Sequence, residues 1–334
     1  MKIKNVFSMI GKIILIISII TSVYIVILLN SPIIKNRNYV IISFLHGTTV
    51  KTLLSDLNKK NIIQHPLLFG ILIHLSGFDR YLKAGEYIIY PYITTPLTLF
   101  KKMITGDAIY HSFTIIEGSD FFKIIDDLNK NHYIKHLLQG LNPDQIMHKI
   151  GHPNEHYEGK FAPDTYLFSG ETSDIDILTR AFNLMNKHLH QAWSNRDNNL
   201  TYKNPYQVLI AASIIEKETC IPKEKNIISR VILHRLKANM LLQIDPTVIY
   251  GIKNFSGKLT KKDLTKNTIY NTYLHKGLPP TPISMPSKET INATVHPDKK
   301  STAYYYVAKG DGTHEFSVNF IQHTKAVNKY VMKR

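Results

Sequence analysis

The chain has 334 residues, 44% of them hydrophobic and 20% charged, with a formal net charge of +16. That length holds about two domains, and the balance is that of a folded chain with a real core, which excludes a disordered linker protein. The single cysteine, Cys220, excludes an intrachain disulfide and a cysteine-rich zinc site, while the positive charge favours anionic partners such as nucleic acid, a wall polymer or a lipid surface.

The first element is the uncharged run Ile13–Leu29, preceded by Lys2, Lys4 and Lys12 and followed by Asn30-Ser31-Pro32. With its shoulders it reaches the roughly 20 residues needed to cross a bilayer. It is long for a signal peptide, and no small-x-small cleavage site follows it. Its basic flank sets the N-terminus in the cytoplasm, although Lys35 and Arg37 on the far side reduce the contrast. Residues 1–35 are therefore expected to be a cytoplasmic tip and transmembrane anchor with its helix at about 13–29. The remainder then lies outside the cytoplasm, where nucleic acid is not a partner.

Residues 38–112 pattern as a small α+β module. Tyr39–Phe44 alternates as a strand. Gly47-Thr48-Thr49 opens a helix with Val50, Leu53, Leu54 and Leu57 on its inner face. A second helix is expected at Pro66–Leu75, a strand at Tyr87–Tyr90 and a third helix at Thr95–Ile104. The phrases Gly-Thr-Thr and Lys-Ala-Gly-Glu-Tyr (83–87) resemble a LysM-like subdomain, and a plain spacer fold competes with that reading.

The rest of the chain, 113–334, reads as one mixed α/β domain. Strand Ser112–Ile116 leads through Glu117-Gly118 to a helix at Phe121–Lys130, followed by a polar, histidine-rich stretch to about 157. There His152-Pro153-Asn154-Glu155-His156 satisfies the H-x-x-E-H metalloprotease pattern. Gly151, Pro153 and Asn154 favour a turn over the helix such a site needs, so no metal is expected. Glu158 to Tyr166 contains Pro163-Asp164-Thr165-Tyr166 and is expected to be a rigid loop, a mixture of carboxylate and aromatic face that suits a sugar ring. A long amphipathic helix follows at Ile175–Ala192.

The helix from Tyr206 ends in Ile-Ile-Glu-Lys-Glu-Thr (214–219). Val208, Ala211, Ile214 and Ile215 form one face, and the next step of that stripe is Glu218. Glu216 and Lys217 fall on other faces. Pro222 ends the helix soon after, so Glu218 sits near the negative end of the helix dipole as well as in line with a buried face. Both effects raise a carboxyl pKa, and a carboxyl still protonated near neutrality is suited to be a general acid. Taken alone, the stretch fits a solvated Glu-Lys-Glu helix end better. Cys220 beside it is expected to be a buried structural thiol.

Asn226–Ala238 is the next helix, with Arg230, His234, Arg235 and Lys237 outward. Asp245 precedes Pro246, where it can either cap the following helix or serve a site. The Gly/Pro-rich segment 276–284 is a stiff loop able to wall a cleft. A hairpin closes the domain, with strand Ala303–Ala308, a turn at Lys309-Gly310-Asp311-Gly312 and a strand through Ser317. A last helix is expected at about 320–332.

Several phrases recur together: Ile-Ile-Glu-Gly (115–118), Pro-Asp-Thr-Tyr (163–166) and Ala-Ser-Ile-Ile-Glu-Lys-Glu-Thr (212–219). They continue with Leu-Gln-Ile-Asp-Pro-Thr-Val-Ile-Tyr-Gly (242–251), Tyr-Asn-Thr-Tyr (270–273), Gly-Leu-Pro-Pro (277–280), His-Pro (296–297) and Gly-Thr-His-Glu-Phe (312–316). In this order they resemble the endolytic murein transglycosylase family, the MltG or YceG-like proteins. The resemblance implies an α+β architecture of anchor, LysM-like module and catalytic domain, and it spans nearly the whole chain. It implies cleavage of the β-1,4 bond between N-acetylmuramic acid and N-acetylglucosamine in nascent glycan strands, leaving 1,6-anhydro ends and terminating strand growth. Glu218 stands at the family's essential glutamate and would act as general acid, then base. Asp164, Tyr166, Glu216, Gln243, Asp245, Tyr250, Asn271, Tyr273 and His314 lie in or beside the matching phrases and are the candidate substrate-binding residues. No cofactor and no metal are implied. The implied partners are peptidoglycan strands, the cytoplasmic membrane and the peptidoglycan synthases of wall assembly. Two alternatives stay open: a hydrolase pairing Glu218 with Asp245 or Asp164, and a non-catalytic wall-binding membrane protein.

Overall fold

The apolar N-terminal run folds as one helix, α1 (Lys2–Asn30), in which Phe7–Asn30 is long and apolar enough to cross a membrane. The computed structural model of the protein describes residues 2–34, 38–44, 47–170, 172–253, 255 and 257–332; Lys35 and Arg37, weighed above as a flank, lie outside them. The chain divides into two units, 1–111 with 167–171, and 112–166 with 172–334.

In the first unit β1 (Val40–Phe44) pairs antiparallel with β2 (Gly85–Ile89), in the register Val40 to Ile89 and Phe44 to Gly85. Between them run α2 (Val50–Lys59) and α3 (Pro66–Ser76), and α4 (Pro96–Thr105) follows β2. The Thr49 hydroxyl accepts from the Thr52 N–H, and Thr95 with Thr98 forms a capping box, so hydroxyls satisfy the free N–H groups that open α2 and α4. Leu53, Leu54, Leu57, Phe69, Tyr87, Leu99 and Met103 close the core.

The second unit is built around one helix. β3 (His111–Ile115) and β4 (Asp164–Phe168), of which residues 112–115 and 164–166 belong to this unit, form a two-stranded sheet, with α5 (Phe121–Lys130) and α6 (Pro143–Lys149) between them in the chain. Then come α7 (Asp174–Ser194), α8 (Pro205–Glu218), α9 (Pro222–Lys237), α10 (Asp245–Tyr250), α11 (Lys261–Leu264) and α12 (Lys288–Val295). A hairpin of β5 (Tyr305–Ala308) and β6 (His314–Ser317) precedes α13 (Phe320–Tyr330). Helices α7, α9, α10 and α12 pack around α8, whose residues Val208 to Ile215 are all buried.

That burial corrects the single-stripe reading of α8: a helix apolar all round belongs in a core, not at a surface. Four further expectations change. Asp164-Thr165-Tyr166 opens strand β4 instead of a loop, because Tyr166 and Phe168 alternate inward beside the exposed Thr165 and Leu167. Pro222 is the first residue of α9, where its missing N–H costs nothing, so that helix begins a turn before Asn226. Arg235 is buried, its guanidinium donating to the carbonyls of Tyr304 (2.7 Å) and Leu242 (2.6 Å). Cys220 is exposed in the turn between α8 and α9.

Candidate active site

Glu218 is the last residue of α8, and Thr219 caps the helix in extended geometry. The corner that follows is held by α9. The Thr219 hydroxyl donates to Glu224 at 3.1 Å, and Glu224 also accepts from the His314 N–H at 2.9 Å and pairs with His314 Nδ1 at 2.8 Å. Burial opposes ionisation of Glu224, but these bonds outweigh it and hold its carboxyl below the usual range. One carboxylate in the first turn of α9 thus ties the end of α8 to the start of β6.

Between these elements lies a cavity of about 490 Å³, lined by Glu218, Arg235, Gln243, Asp245, Tyr273, Tyr306 and His314, with Phe320, Val327 and Val331 of the α13 region on its apolar side. Gln243 holds a left-handed φ of 52°, and the segment is fixed by the Gln243 N–H to Thr272 O (3.0 Å) and by the Ile244 N–H to the Thr272 hydroxyl (3.0 Å). Arg235 holds the same segment through the carbonyl of Leu242. Asp245 does not cap α10; its carboxylate accepts the Tyr273 hydroxyl at 2.5 Å.

Glu218 keeps part of its surface, and that part borders the cavity. Protein packs around the rest of the carboxyl, and burial pushes its pKa up to about 7; a hydrogen bond with Tyr306 pulls it down and the charge of Asp245 adds to the rise. A carboxyl balanced there gives and takes a proton at neutral pH. Burial next to Glu218 in turn raises the Tyr306 hydroxyl well above its ordinary range, so it stays a donor.

Of the residues singled out from sequence, Glu218, Gln243, Asp245, Tyr273 and His314 share this cavity, and the others do not line it. Glu216 is buried elsewhere, accepting from the Ser287 N–H (2.7 Å) and hydroxyl (2.6 Å) and lying 3.5 Å from Lys225 Nζ. It anchors the start of α12. Tyr166 is buried under Arg180 with its hydroxyl on Ala162 O (2.6 Å), and Asp164 is exposed, accepting from its neighbour's N–H. Asn271 is fully buried and spans the Leu264 and Lys266 carbonyls. Tyr250 donates to Glu158 at 3.0 Å. The Gly/Pro-rich loop packs on the middle of α8 instead of walling the Glu218 cavity, with the Ile283 N–H on the Ser213 hydroxyl at 3.0 Å. His152 and His156 of the H-x-x-E-H phrase lie outside any helix. His152 stacks on Phe182 at 3.7 Å, and among the described residues no group of three or more His, Cys, Asp or Glu is placed to hold a metal ion.

Three residues escaped sequence reasoning. Tyr306 sits in a tyrosine run whose strand was expected, but nothing local says which hydroxyl meets Glu218. Arg235 has an ordinary outward-facing helical position by sequence. Glu158 is fully buried, accepts from the Phe121 N–H (3.2 Å) at the start of α5, and is also pushed up to about 7, chiefly by burial. Its only sequence signal is Gly159, at φ 78°, where a Cβ would come within 2.5 Å of Pro282. A larger groove of about 1290 Å³ lies against α2 and α3, but among the described residues Asp79 is the one acid on its walls.

The sequence model of the YceG-like family matches residues 42–329. The endolytic murein transglycosylase of Bacillus subtilis (strain 168) is 28% identical over 308 residues, covering 86% of this chain and 84% of that protein. The endolytic murein transglycosylase of Streptococcus pneumoniae serotype 2 is 23% identical over 335 residues, which are 89% of this chain and 59% of that longer one. Among solved structures, a YceG-like protein of Listeria monocytogenes is similar with a TM-score of 0.51 and 25% identity, over 87% of this chain and 99% of that one.

Proposed function

The chain belongs to the YceG-like family, and from that premise we propose that it is a membrane-anchored lytic transglycosylase that cuts peptidoglycan glycan strands from within, with Glu218 as its acid and base. The observation that carries the reading is one carboxyl held near pKa 7 at the wall of a cavity lined by polar side chains from several elements. Protonated Glu218 gives its proton to the glycosidic oxygen as the bond to the muramoyl C1 breaks. The C6 hydroxyl of the same sugar then bonds to C1 and returns its proton to the Glu218 carboxylate. No water is consumed, so the second carboxylate of an ordinary glycosidase is not required. Tyr306 favours the ionised stage by donating, and the charge of Asp245 favours the protonated one.

Gln243, Tyr273 and His314 face the same cavity and serve as substrate contacts in this reading. The anchor is α1, with the N-terminus in the cytoplasm of a cell bounded by an inner membrane and residues from about 35 outside it; a C-terminal reporter active only in the cytoplasm contradicts this orientation. The layout is anchor at 1–35, LysM-like module at 38–112 and catalytic domain at 113–334. The Gly-Thr-Thr phrase before α2 and the Gly-Glu-Tyr phrase opening β2 support the LysM-like reading. Ending strand growth beside the wall synthases is the cellular role that suits such a tethered enzyme.

Asp245 shares the cavity with Glu218, which favours hydrolysis as the second reading. Mass spectrometry of glycan strands digested by the full chain in detergent separates the two. Anhydro ends, lighter by one water than reducing ends, support transglycosylation; reducing ends that vanish in Asp245→Asn support hydrolysis.

A further inference from the structure

The first unit carries an exposed apolar face that its own core does not explain. On α3, Leu67, Ile71 and Leu75 recur every fourth residue, and they are 83%, 58% and 78% exposed. The helix is apolar nearly all round, Pro-Leu-Leu-Phe-Gly-Ile-Leu-Ile-His-Leu-Ser, while its inward side already buries Phe69 and Ile73. Such a helix has a second apolar partner.

The position of α3 relative to α1 points to that partner. The Tyr24 hydroxyl of α1 lies 3.1 Å from Nε2 of His65, the residue that caps the start of α3. Leu28 and Leu29 pack against the core of the unit. The candidate span of 24 residues is about 36 Å long, longer than a hydrocarbon core of roughly 30 Å. Tyr24, six residues or about 9 Å before the end of α1, therefore lies a few Å inside the outer boundary of the hydrocarbon core, just beneath the interfacial layer where tyrosine is enriched. The start of α3 lies at the same depth.

A second apolar feature is tied to the same end of α1. Ile33 donates its N–H to Thr94 O at 2.8 Å, and the Tyr92 N–H donates to Ile34 O at 2.9 Å. The 90–93 turn is thereby held to the chain within four residues of the end of α1. Its tip presents Tyr92 and Ile93, 62% and 73% exposed. An aromatic ring beside an aliphatic side chain at a helix exit suits the headgroup boundary.

We propose that the first unit is bedded in the outer lipid surface by the Leu67/Ile71/Leu75 face of α3 and the Tyr92-Ile93 turn, so that it lies on the membrane instead of hanging from it. This rests on the reading of α1 as a membrane anchor. A sugar chain is the competing occupant, because this face walls the groove that Thr48, Thr49, Ser55 and Tyr110 also line. The side chains of Leu67, Ile71 and Leu75 themselves carry no polar atom, which favours lipid.

The test uses the full chain with Cys220→Ser and one new cysteine at Ile71, Leu75 or Ile93, all exposed positions, labelled with an environment-sensitive nitrobenzoxadiazole. Labels at Ile20 in α1 and Asn328 in α13 serve as references. Each protein is placed in phosphatidylethanolamine–phosphatidylglycerol vesicles containing acyl-brominated lipid. The proposal expects emission at 20, 71, 75 and 93 to be lost to brominated lipid, and emission at 328 to be lost only to aqueous iodide. Iodide quenching at 71, 75 and 93 with lipid quenching kept at 20 overturns the proposal and leaves the anchor standing. Iodide quenching at 20 as well overturns the anchor reading and the proposal together. Iodide access at 71 and 75 that disappears when soluble glycan strands are added assigns the face to glycan, which also overturns the proposal.

Discussion

Glu218 and Glu158 are the same side chain in the same unit, and both are pushed up to about 7 chiefly by burial, yet they occupy opposite kinds of place. Glu218 ends a helix whose negative pole adds to its reluctance to ionise, and it borders a cavity with room for a ligand. Glu158 meets the opposite pole, accepting from the first N–H of α5, and Tyr250 covers its other side. Burial makes each a proton carrier near neutrality, but only an open cavity lets the proton reach a substrate. An elevated pKa therefore marks a candidate, and access decides between candidates.

The largest expected effect falls on the open acid. Glu218→Gln keeps the shape of the side chain and removes its transferable proton, so anhydro-end formation should fall by ~10²–10⁴-fold or more in a variant that still folds. The sealed acid should respond in stability instead. Glu158 has a folded pKa of about 7, above its ordinary 4.5, so between those values the folded state holds a proton that the unfolded chain lacks. Wild-type stability from this group is complete below pH 4.5 and is lost as pH rises through 7, roughly 3 kcal/mol in all. Glu158→Gln has no such slope, and denaturant titrations across pH 4.5 to 7.5 should move in its favour relative to wild type while its rate changes little.

Glu216 offers a third environment, buried but charge-paired. Glu216→Ala leaves the buried Lys225 with the Ser287 hydroxyl, 3.5 Å away, and the exposed Glu289, 3.2 Å away, and should cost about 3 kcal/mol in chemical denaturation. Glu216→Gln keeps a Ser287 acceptor and should cost less. The smallest effects, and the sharpest, are on the pH profile. Tyr306→Phe removes the bond that lowers the Glu218 pKa, so the alkaline limb of the rate should move to higher pH. Asp245→Asn removes the charge that raises it, and the limb should move to lower pH. Displacement in the same direction by both variants breaks the account of how the cavity tunes its acid.

The sequence made some of this legible and hid the rest for physical reasons. Caps and turns are local chemistry, so Thr49 before α2, Pro66 at the start of α3 and the Asp311-Gly312 turn could be read directly. The apolar run into Glu218 was legible too, because helical spacing carries it. Burial was harder, since it depends on distant partners: Glu158 is enclosed by Phe121 and Tyr250, 37 and 92 residues away, and Glu216 by Ser287, 71 residues away. Phrases chosen as site residues mixed two roles for the same reason. Asn271 and Tyr166 spend their polar atoms on nearby backbone groups, whereas Asp245 and Tyr273, from equally polar phrases, meet across the cavity.

The most direct test is the pH dependence of kcat/KM for anhydro-end formation, measured together in wild type, Glu158→Gln and Glu218→Gln. The account predicts a rate that declines above about pH 7 as Glu218 loses its proton, an unmoved limb in Glu158→Gln, and no such limb in the residual activity of Glu218→Gln. A limb displaced by Glu158→Gln, or one that persists unchanged in Glu218→Gln, assigns the titrating acid elsewhere and contradicts it.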